Sequence, residues 1–239
     1  VADTRIVHLT TVSSTQDAAR ELVIRESEPE GGIRLIEAVI VADTQESGRG
    51  RRNSEWVSPL GGLYASIIMK NDTHLPLRVG VAVARALREW SIDALLKWPN
   101  DAIAGGRKIA GILIEAMSDR AIVGIGVNIK HAPLPTATCA NDEMASSGTR
   151  DELLAAILRE IEKTYEIDVI DAYRALCTTI GRDVTVTIGE KTIAGHVQGI
   201  DRSGALILKT ENEICIINSG ECHHVETLSV WRDPADMLG

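Results

Sequence analysis

Residues Gln45–Trp56 read QESGRGRRNSEW, with Arg49, Arg51 and Arg52 set around Gly48 and Gly50 directly after the apolar run Leu35–Ala42. Glycine lets a backbone adopt conformations closed to other residues and come close to a ligand. Three guanidiniums within four positions repel one another and cannot all be buried without anions to pair with. A strand ending in such a loop is suited to wrapping a phosphate or a carboxylate. Short Gly/Arg strings are common, and on spacing alone a solvated basic loop explains this one equally well.

The rest of the chain narrows the choice. Its 239 residues suit one full-sized domain plus a small one. With 44% hydrophobic and 25% charged residues it has ordinary globular composition. Phe is absent, so aliphatic side chains must fill the core. A net charge of −9 argues against binding nucleic acid over a broad surface, and it makes the arginine cluster a local exception on an acidic molecule. Cys139, Cys177, Cys215 and Cys222 show no CxxC spacing, which argues against a zinc site or a disulfide framework and for reduced thiols in a cytoplasm. The longest run without Asp, Glu, Lys or Arg, Trp56 to Met69, has 14 residues and is too short to span a bilayer. No basic-then-apolar signal segment opens the chain.

In chain order, IVHLTTVSSTQDAARELV reads as strand, turn and helix. Ser14 and Asp17 form a capping-box pattern, Ala18, Ala19, Leu22 and Val23 face inward, and Pro29, Gly31 and Gly32 end the helix. Leu35–Ala42 and Leu63–Met69 are predicted strands, the second after a turn at Pro59–Gly62. Leu77, Val81, Ala84 and Leu87 recur at helical spacing, and Arg78, Arg85 and Arg88 are expected on its solvated surface. Ala94–Trp98, Lys108–Glu115 and Ile122–Ile129 are further strands. This order predicts an α+β domain with a mixed sheet rather than a doubly wound fold. His131–Thr149 reads as a long exposed loop and Asp151–Cys177 as one or two helices. From Gly181, VTVTI, TIAGHVQGI, ALILK and EICII are short alternating strands of a small all-β barrel or sandwich. The expected domains are 1–178 and 181–230. The second carries 5 Lys/Arg against 9 Asp/Glu from Gly181 to Gly239, a poor balance for nucleic acid.

Three more segments carry candidate chemistry. In KWPND, Lys97–Asp101, Pro99 sets a turn, and Asn100 and Asp101 favour a hairpin. In RKIAGILIE, Arg107–Glu115, plain alternation puts Lys108 on the face of Ala110, Ile112 and Ile114. Lys108 either snorkels to solvent or presents a compact positive charge to a pocket. Gly111 weakens the strand unless another group approaches its backbone. In GIGVN, Gly124–Asn128, the final Asn caps the strand locally or offers an oxygen to a metal or ligand. His223 and His224, being adjacent, point to opposite faces of a strand and do not form a metal pair.

Taken together, SSTQ, GRGRR-x-x-x-W, KWPND, RKIAGILIE and GIGVN in this order resemble the biotin–protein ligases, also called biotin–[acetyl-CoA-carboxylase] ligases. The resemblance runs from about Ile6 to Ile129 and continues into the terminal strands, which look like that family's SH3-like domain. It implies a mixed-sheet biotin/lipoate-ligase-like catalytic domain followed by a small all-β SH3-like barrel. It also implies an enzyme that joins biotin to ATP, with Mg²⁺, giving biotinyl-5′-AMP and pyrophosphate. Biotin then passes to a lysine of a biotin carboxyl carrier protein.

By the same resemblance, Ser14, Thr15 and Gln16 contact the biotin ureido ring, Gln16 standing where the family usually has Asn. Gln45, Arg49, Gly50 and Arg51 match the loop that closes over biotin and the adenylate. Lys108 matches the lysine near the biotin carboxylate and α-phosphate, and Gly111 and Leu113 the floor of the biotin slot. Trp56 matches a tryptophan that orders with ligand, and Asn128 an Asn associated with nucleotide and magnesium. Val225 stands where the family often has an Arg reaching the nucleotide, so the barrel is not expected to give ATP a cation. Ligase motifs within the first 15 residues leave no room for the helix-turn-helix domain of some members, so neither a repressor role nor a nucleic-acid partner is expected; a homodimer is compatible.

Elementary chemistry agrees with these roles. A carboxylate attacking an α-phosphate brings two anions together, and positive side chains aimed at those oxygens are what the step needs. No general base is required, because a carboxylate is already ionised at pH 7. The competing readings are a lipoate–protein ligase, which shares the catalytic fold, and a non-catalytic biotin- or nucleotide-binding regulator.

Overall fold

Aliphatic strands buried on both faces organise the molecule. The computed structural model describes residues 4–26, 33–143 and 148–225. Its elements are β1 (Arg5–Val12), α1 (Thr15–Arg25), β2 (Ile36–Gln45), β3 (Leu63–Lys70), α2 (Leu75–Glu89), β4 (Leu95–Lys97), β5 (Asp101–Ala104), β6 (Arg107–Met117) and β7 (Arg120–Val127). There follow α3 (Ala140–Glu143), α4 (Arg150–Lys163), α5 (Val169–Leu176), β8 (Asp183–Ile188), β9 (Lys191–Ile200), β10 (Leu206–Lys209), β11 (Ile214–Ile217) and β12 (Glu221–His224).

The first seven strands form one sheet, ordered β1-β2-β3-β7-β6-β5-β4. Only β1 and β2 run parallel; the other pairs are antiparallel, so the predicted mixed sheet is present. Alternation sorts β2 between two layers. Val39 and Val41 join the large core, whereas Ala38 and Ile40 meet Ala19, Ile68 and Ile122 under α1. Helices α2, α4 and α5 supply the large core's other wall, with Leu75, Val79, Val83, Leu87, Leu153, Ile157 and Tyr173 buried. Each such aliphatic side chain contributes about 1.5–3 kcal/mol when fully buried. The second sheet, β11-β10-β9-β8-β12, is antiparallel throughout. Its inward side chains, among them Val184, Val197, Leu206 and Leu208, belong to the same contiguous core.

Several expectations change. Ser14 is the N-cap of α1, accepting from the Gln16 N–H, but Asp17 does not complete a capping box; its carboxylate turns to Arg20 and Arg49. Pro29, Gly31 and Gly32 lie outside the described residues. Strand β5 was not anticipated. It pairs with β6 across Gly105 (φ 54°) and Gly106 (φ 76°), two consecutive left-handed positions of the kind that two-residue hairpins require. The stretch after His131 is only partly exposed, because Ala137, Thr138, Cys139 and Ala140 are buried.

Arg78 is not a solvated helix residue either. Its side chain is 13% exposed, bonds the Asp72 carboxylate at 2.9 Å, donates to the Thr164 carbonyl and lies 4.0 Å from the Tyr165 ring centroid. Burial pushes the Asp72 carboxyl up, but the His74 N–H and the Arg78 guanidinium outweigh it and hold the group below its ordinary 3.8. Arg78→Ala should therefore lower stability by about 2–4 kcal/mol at neutral pH. A depressed carboxyl stabilises the fold above its unfolded pKa and loses that contribution as pH falls through its folded value. The difference between wild type and variant, measured by urea melts, should shrink as pH drops below 3.8.

Candidate active site

The polar segment SSTQ starts α1 just where β2 ends, so Ser14–Gln16 and Gln45 meet. Gln45 Oε1 accepts from the Thr15 N–H at 2.8 Å and from Thr15 Oγ1 at 3.1 Å, while Gln45 Nε2 donates to Ser58 Oγ at 2.8 Å. Ser66 Oγ, from the buried face of β3, lies 2.8 Å from both Thr15 Oγ1 and Gln16 Oε1. Gln16 Nε2 donates to Glu115 Oε2 at 2.8 Å. Ser14, Thr15, Gln16 and Ser66 are all buried, so this network holds its geometry in a low-dielectric setting where each bond is strengthened.

The Gln45–Trp56 loop covers a cavity of about 340 Å³ lined by this network, by β4–β7 and by the start of β12. The loop folds back on itself through Gly50 N–H to Ser54 O (2.7 Å) and Trp56 N–H to Gly48 O (2.8 Å). Its arginines do not lack partners. Arg49 Nη2 bonds Asp17 Oδ1 at 2.5 Å and stands 3.9 Å from Glu115 Oε1, though its Nε is buried without a partner. Arg51 Nη1 donates to Asn100 Oδ1 and to the Gly220 carbonyl, each at 3.1 Å. Burial, and then the neighbouring Arg52 charge, lower the Arg51 pKa. Arg52, in a left-handed conformation (φ 53°), donates to the Thr187 carbonyl at 2.8 Å. The three guanidiniums thus find their acceptors within the protein.

Lys108 also lies elsewhere than plain alternation predicts. Ala102 pairs with Ala110 but Ile103 pairs with Lys108, so Ile109 is an extra residue in β6. This bulge turns Lys108 away from the face of Ala110 and Ile112 and over Gly111 on the cavity side. Lys108 Nζ forms an ion pair with Asp101 Oδ1 at 2.7 Å and sits 5.3 Å from the Trp56 ring centroid. The indole lies directly on the sheet. A Cβ added to Gly111 would meet it at 2.9 Å, and one on Gly126 would fall inside contact distance. Leu113 and Gly50 line the same cavity.

Asn128 does not join them. It is buried at the end of β7, with Nδ2 donating to the Thr138 carbonyl at 3.1 Å, a bond that does not involve its side-chain oxygen. Val225 lies outside the cavity, its N–H on the Asp183 carbonyl, whereas Gly220–His223 do line the wall. Sequence reasoning missed Asp17, Ser66, Gly126 and Glu115 as site residues. A serine within LYASIIM and a second glycine in GIGVN were the available signals. Asn100 and Asp101 prove to be hairpin and site residues at once.

Residues 10–130 match the Biotin/lipoate A/B protein ligase family, and residues 179–225 match the Biotin protein ligase C terminal domain. The chain therefore belongs to the biotin/lipoate A/B protein ligase family, in the branch that carries the biotin protein ligase C-terminal domain. It is 28% identical over 239 residues to a biotin--[acetyl-CoA-carboxylase] ligase of Mycobacterium tuberculosis, covering 91% of this chain and 89% of that protein. It is 30% identical to the bifunctional ligase/repressor BirA of Escherichia coli over 73% of this chain, a match that spans only 62% of that relative's length. The fold is similar to the Aquifex aeolicus biotin protein ligase in complex with biotin and ATP, with a TM-score of 0.77, 31% identity, and coverage of 92% of this chain and 98% of that one.

The glycine floor yields a direct test. Gly126→Ala should displace the Trp56 indole, seen as a change in tryptophan emission, while leaving the melting temperature nearly unchanged. Unaltered emission would mean that Trp56 does not rest there.

Proposed function

We propose that the chain is an ATP-dependent biotin–protein ligase. The biotin carboxylate attacks the α-phosphate of ATP, a P–O bond to the departing pyrophosphate breaks, and biotinyl-5′-AMP forms. The amine of a carrier-protein lysine then attacks the biotinyl carbonyl and AMP leaves. One observation carries the reading most: the bulge in β6 brings Lys108 out of the core and into a cavity walled by a buried amide–hydroxyl network and roofed by Arg49, Arg51 and Trp56.

In this reading Ser14, Thr15, Gln16 and Gln45 present fixed donors and acceptors to the ureido ring, as a site must that discriminates by hydrogen bonding. Gly111, Leu113 and Gly126 form an apolar slot, which ligand enters when Trp56 lifts. Arg49, Gly50 and Arg51 close over the adenylate, and the two guanidiniums exchange internal acceptors for phosphate oxygens. Lys108 exchanges Asp101 for the anions meeting at the α-phosphate and stabilises the charge that develops there.

Asn128 keeps its proposed association with nucleotide and magnesium through its side-chain oxygen, while Nδ2 holds the Thr138 carbonyl. Among the described residues, no group of three or more His, Cys, Asp or Glu could hold a metal ion. Mg²⁺ is proposed to accompany ATP. The proposed partners are biotin, ATP and a biotin carboxyl carrier protein. The charge of −9 weighs against nucleic acid, four free cysteines fit a reducing cytoplasm, and a homodimer is testable by solution mass.

ATP–pyrophosphate exchange with biotin, lipoate and octanoate side by side tests the reading. Biotin alone should support exchange; exchange with lipoate or octanoate instead, or with none, would reject it. Lys108→Ala should cost about 2–4 kcal/mol of barrier in that assay, roughly 30- to 900-fold in rate. An unchanged rate would remove Lys108 from the chemistry.

A further inference from the structure

The amide–hydroxyl network in the cavity wall is held from both ends by groups whose hydrogen-bonding sense cannot change. At one end the Thr15 N–H can only donate, so Gln45 turns Oε1 to it at 2.8 Å. Thr15 Oγ1, 3.1 Å from that same oxygen, donates its proton there as well. At the other end Glu115 carries a carboxylate, which only accepts, so Gln16 turns Nε2 to it at 2.8 Å and Oε1 towards Ser66. Arg20 Nη2, from α1, fixes the same Glu115 oxygen at 2.8 Å.

Ser66 therefore stands between two acceptors. Its Oγ lies 2.8 Å from Thr15 Oγ1 and 2.8 Å from Gln16 Oε1, and a hydroxyl has a single proton to give. Among the described residues Ser66 is the one side chain that donates to either oxygen, and it is fully buried. One of the two oxygens is thus short of a donor, and Thr15 and Gln16 both line the cavity. The opposite setting of the Gln16 amide would remove the deficit: Nε2 would donate to Ser66, Ser66 to Thr15, and the network would be satisfied within the protein. Glu115 forbids that setting, because Gln16 Oε1 would then face a carboxylate oxygen.

We propose that Glu115 is a positioning residue that sets this network to read ring N–H groups. By holding the Gln16 amide in one sense it keeps an acceptor open for a cyclic urea, and it acts through Gln16 without touching ligand. The inference rests on the ligase reading of the cavity. A buried acceptor left without a donor penalises any ligand that lacks an N–H, which selects against an apolar acid such as lipoate. Glu115 alternates with Gly111 and Leu113 along β6, so the strand that floors the slot also carries the group that orients its polar end.

The test is calorimetric titration of the full chain with biotin, desthiobiotin and AMP. Glu115→Gln keeps an oxygen for Gln16 Nε2 and removes the charge, so biotin affinity should stay within about threefold of wild type. Glu115→Asp keeps the charge and withdraws the oxygen by one methylene, and should weaken biotin about fivefold or more. Glu115→Met removes both and should weaken it about tenfold or more. Desthiobiotin, which retains both ring N–H groups, should lose affinity in step with biotin, and AMP should not move. A purely ion-pairing role predicts the reverse order, with Glu115→Gln more damaging than Glu115→Asp. That order would overturn the assignment, as would unchanged biotin affinity in Glu115→Met or an AMP affinity that falls with it. Should Glu115→Met fail to melt cooperatively, the other two variants decide. Wild type that binds biotin but supports no biotin-dependent exchange would overturn the ligase reading and leave the role of Glu115 standing; wild type that binds no biotin would overturn both.

Discussion

Guanidinium groups cannot lie against a protein interior without acceptors, and this requirement shapes the site. The loop that roofs the cavity satisfies it three ways: Arg49 on the Asp17 carboxylate of α1, Arg51 on the β4–β5 turn and Gly220, and Arg52 on the Thr187 carbonyl of β8. One loop therefore ties together the first helix, the far edge of the main sheet and the C-terminal sheet. Each tie is made to an acceptor that an anionic ligand could replace. Binding then becomes an exchange of partners rather than the creation of a charge in a dry site, and the desolvation cost is largely met before ligand arrives.

The two sheets share that logic at the level of packing. Trp98 sits between them, its N–H on Thr179 Oγ1 at 3.0 Å and its indole N–H on the Gly204 carbonyl at 3.2 Å, while Arg174 Nε donates to the Ile200 carbonyl at 2.9 Å. Apolar side chains run without interruption from one sheet to the other. The C-terminal sheet is thus held as a wall of the cavity by the same forces that hold the core, and Gly220–His223 stay opposite the hairpin that carries Lys97 and Asp101.

Much of this could be read from the chain alone, for identifiable reasons. Period-2 and period-3.6 apolar patterns located most strands and helices because burial enforces them. Ordered motifs located Ser14–Gln16, Gln45, the arginines, Lys108 and Gly111. What escaped depended on pairing rather than pattern. The β5–β6 hairpin needed both glycines of Gly105–Gly106 to be read as left-handed turn positions. Arg78 looked solvated because its acceptors, Asp72 and the Thr164 carbonyl, come from outside its helix. Asn128 lies apart from the cavity because its Nδ2 is held by the Thr138 carbonyl, ten residues on, a contact that no local pattern predicts. The arginine loop looked unpaired because its acceptors are spread from Asp17 to Gly220.

The extra residue at Ile109 has a consequence for folding as well as for the site. If β6 paired with β5 without it, the Lys108 ammonium would turn onto the face of Ala110 and Ile112 and enter the aliphatic core. Burying an unpaired charge costs several kcal/mol, far more than a one-residue slip saves in backbone pairing. The lysine thus proofreads the alignment of its own strand: the only register in which the sheet can close is the one that delivers the charge to the cavity.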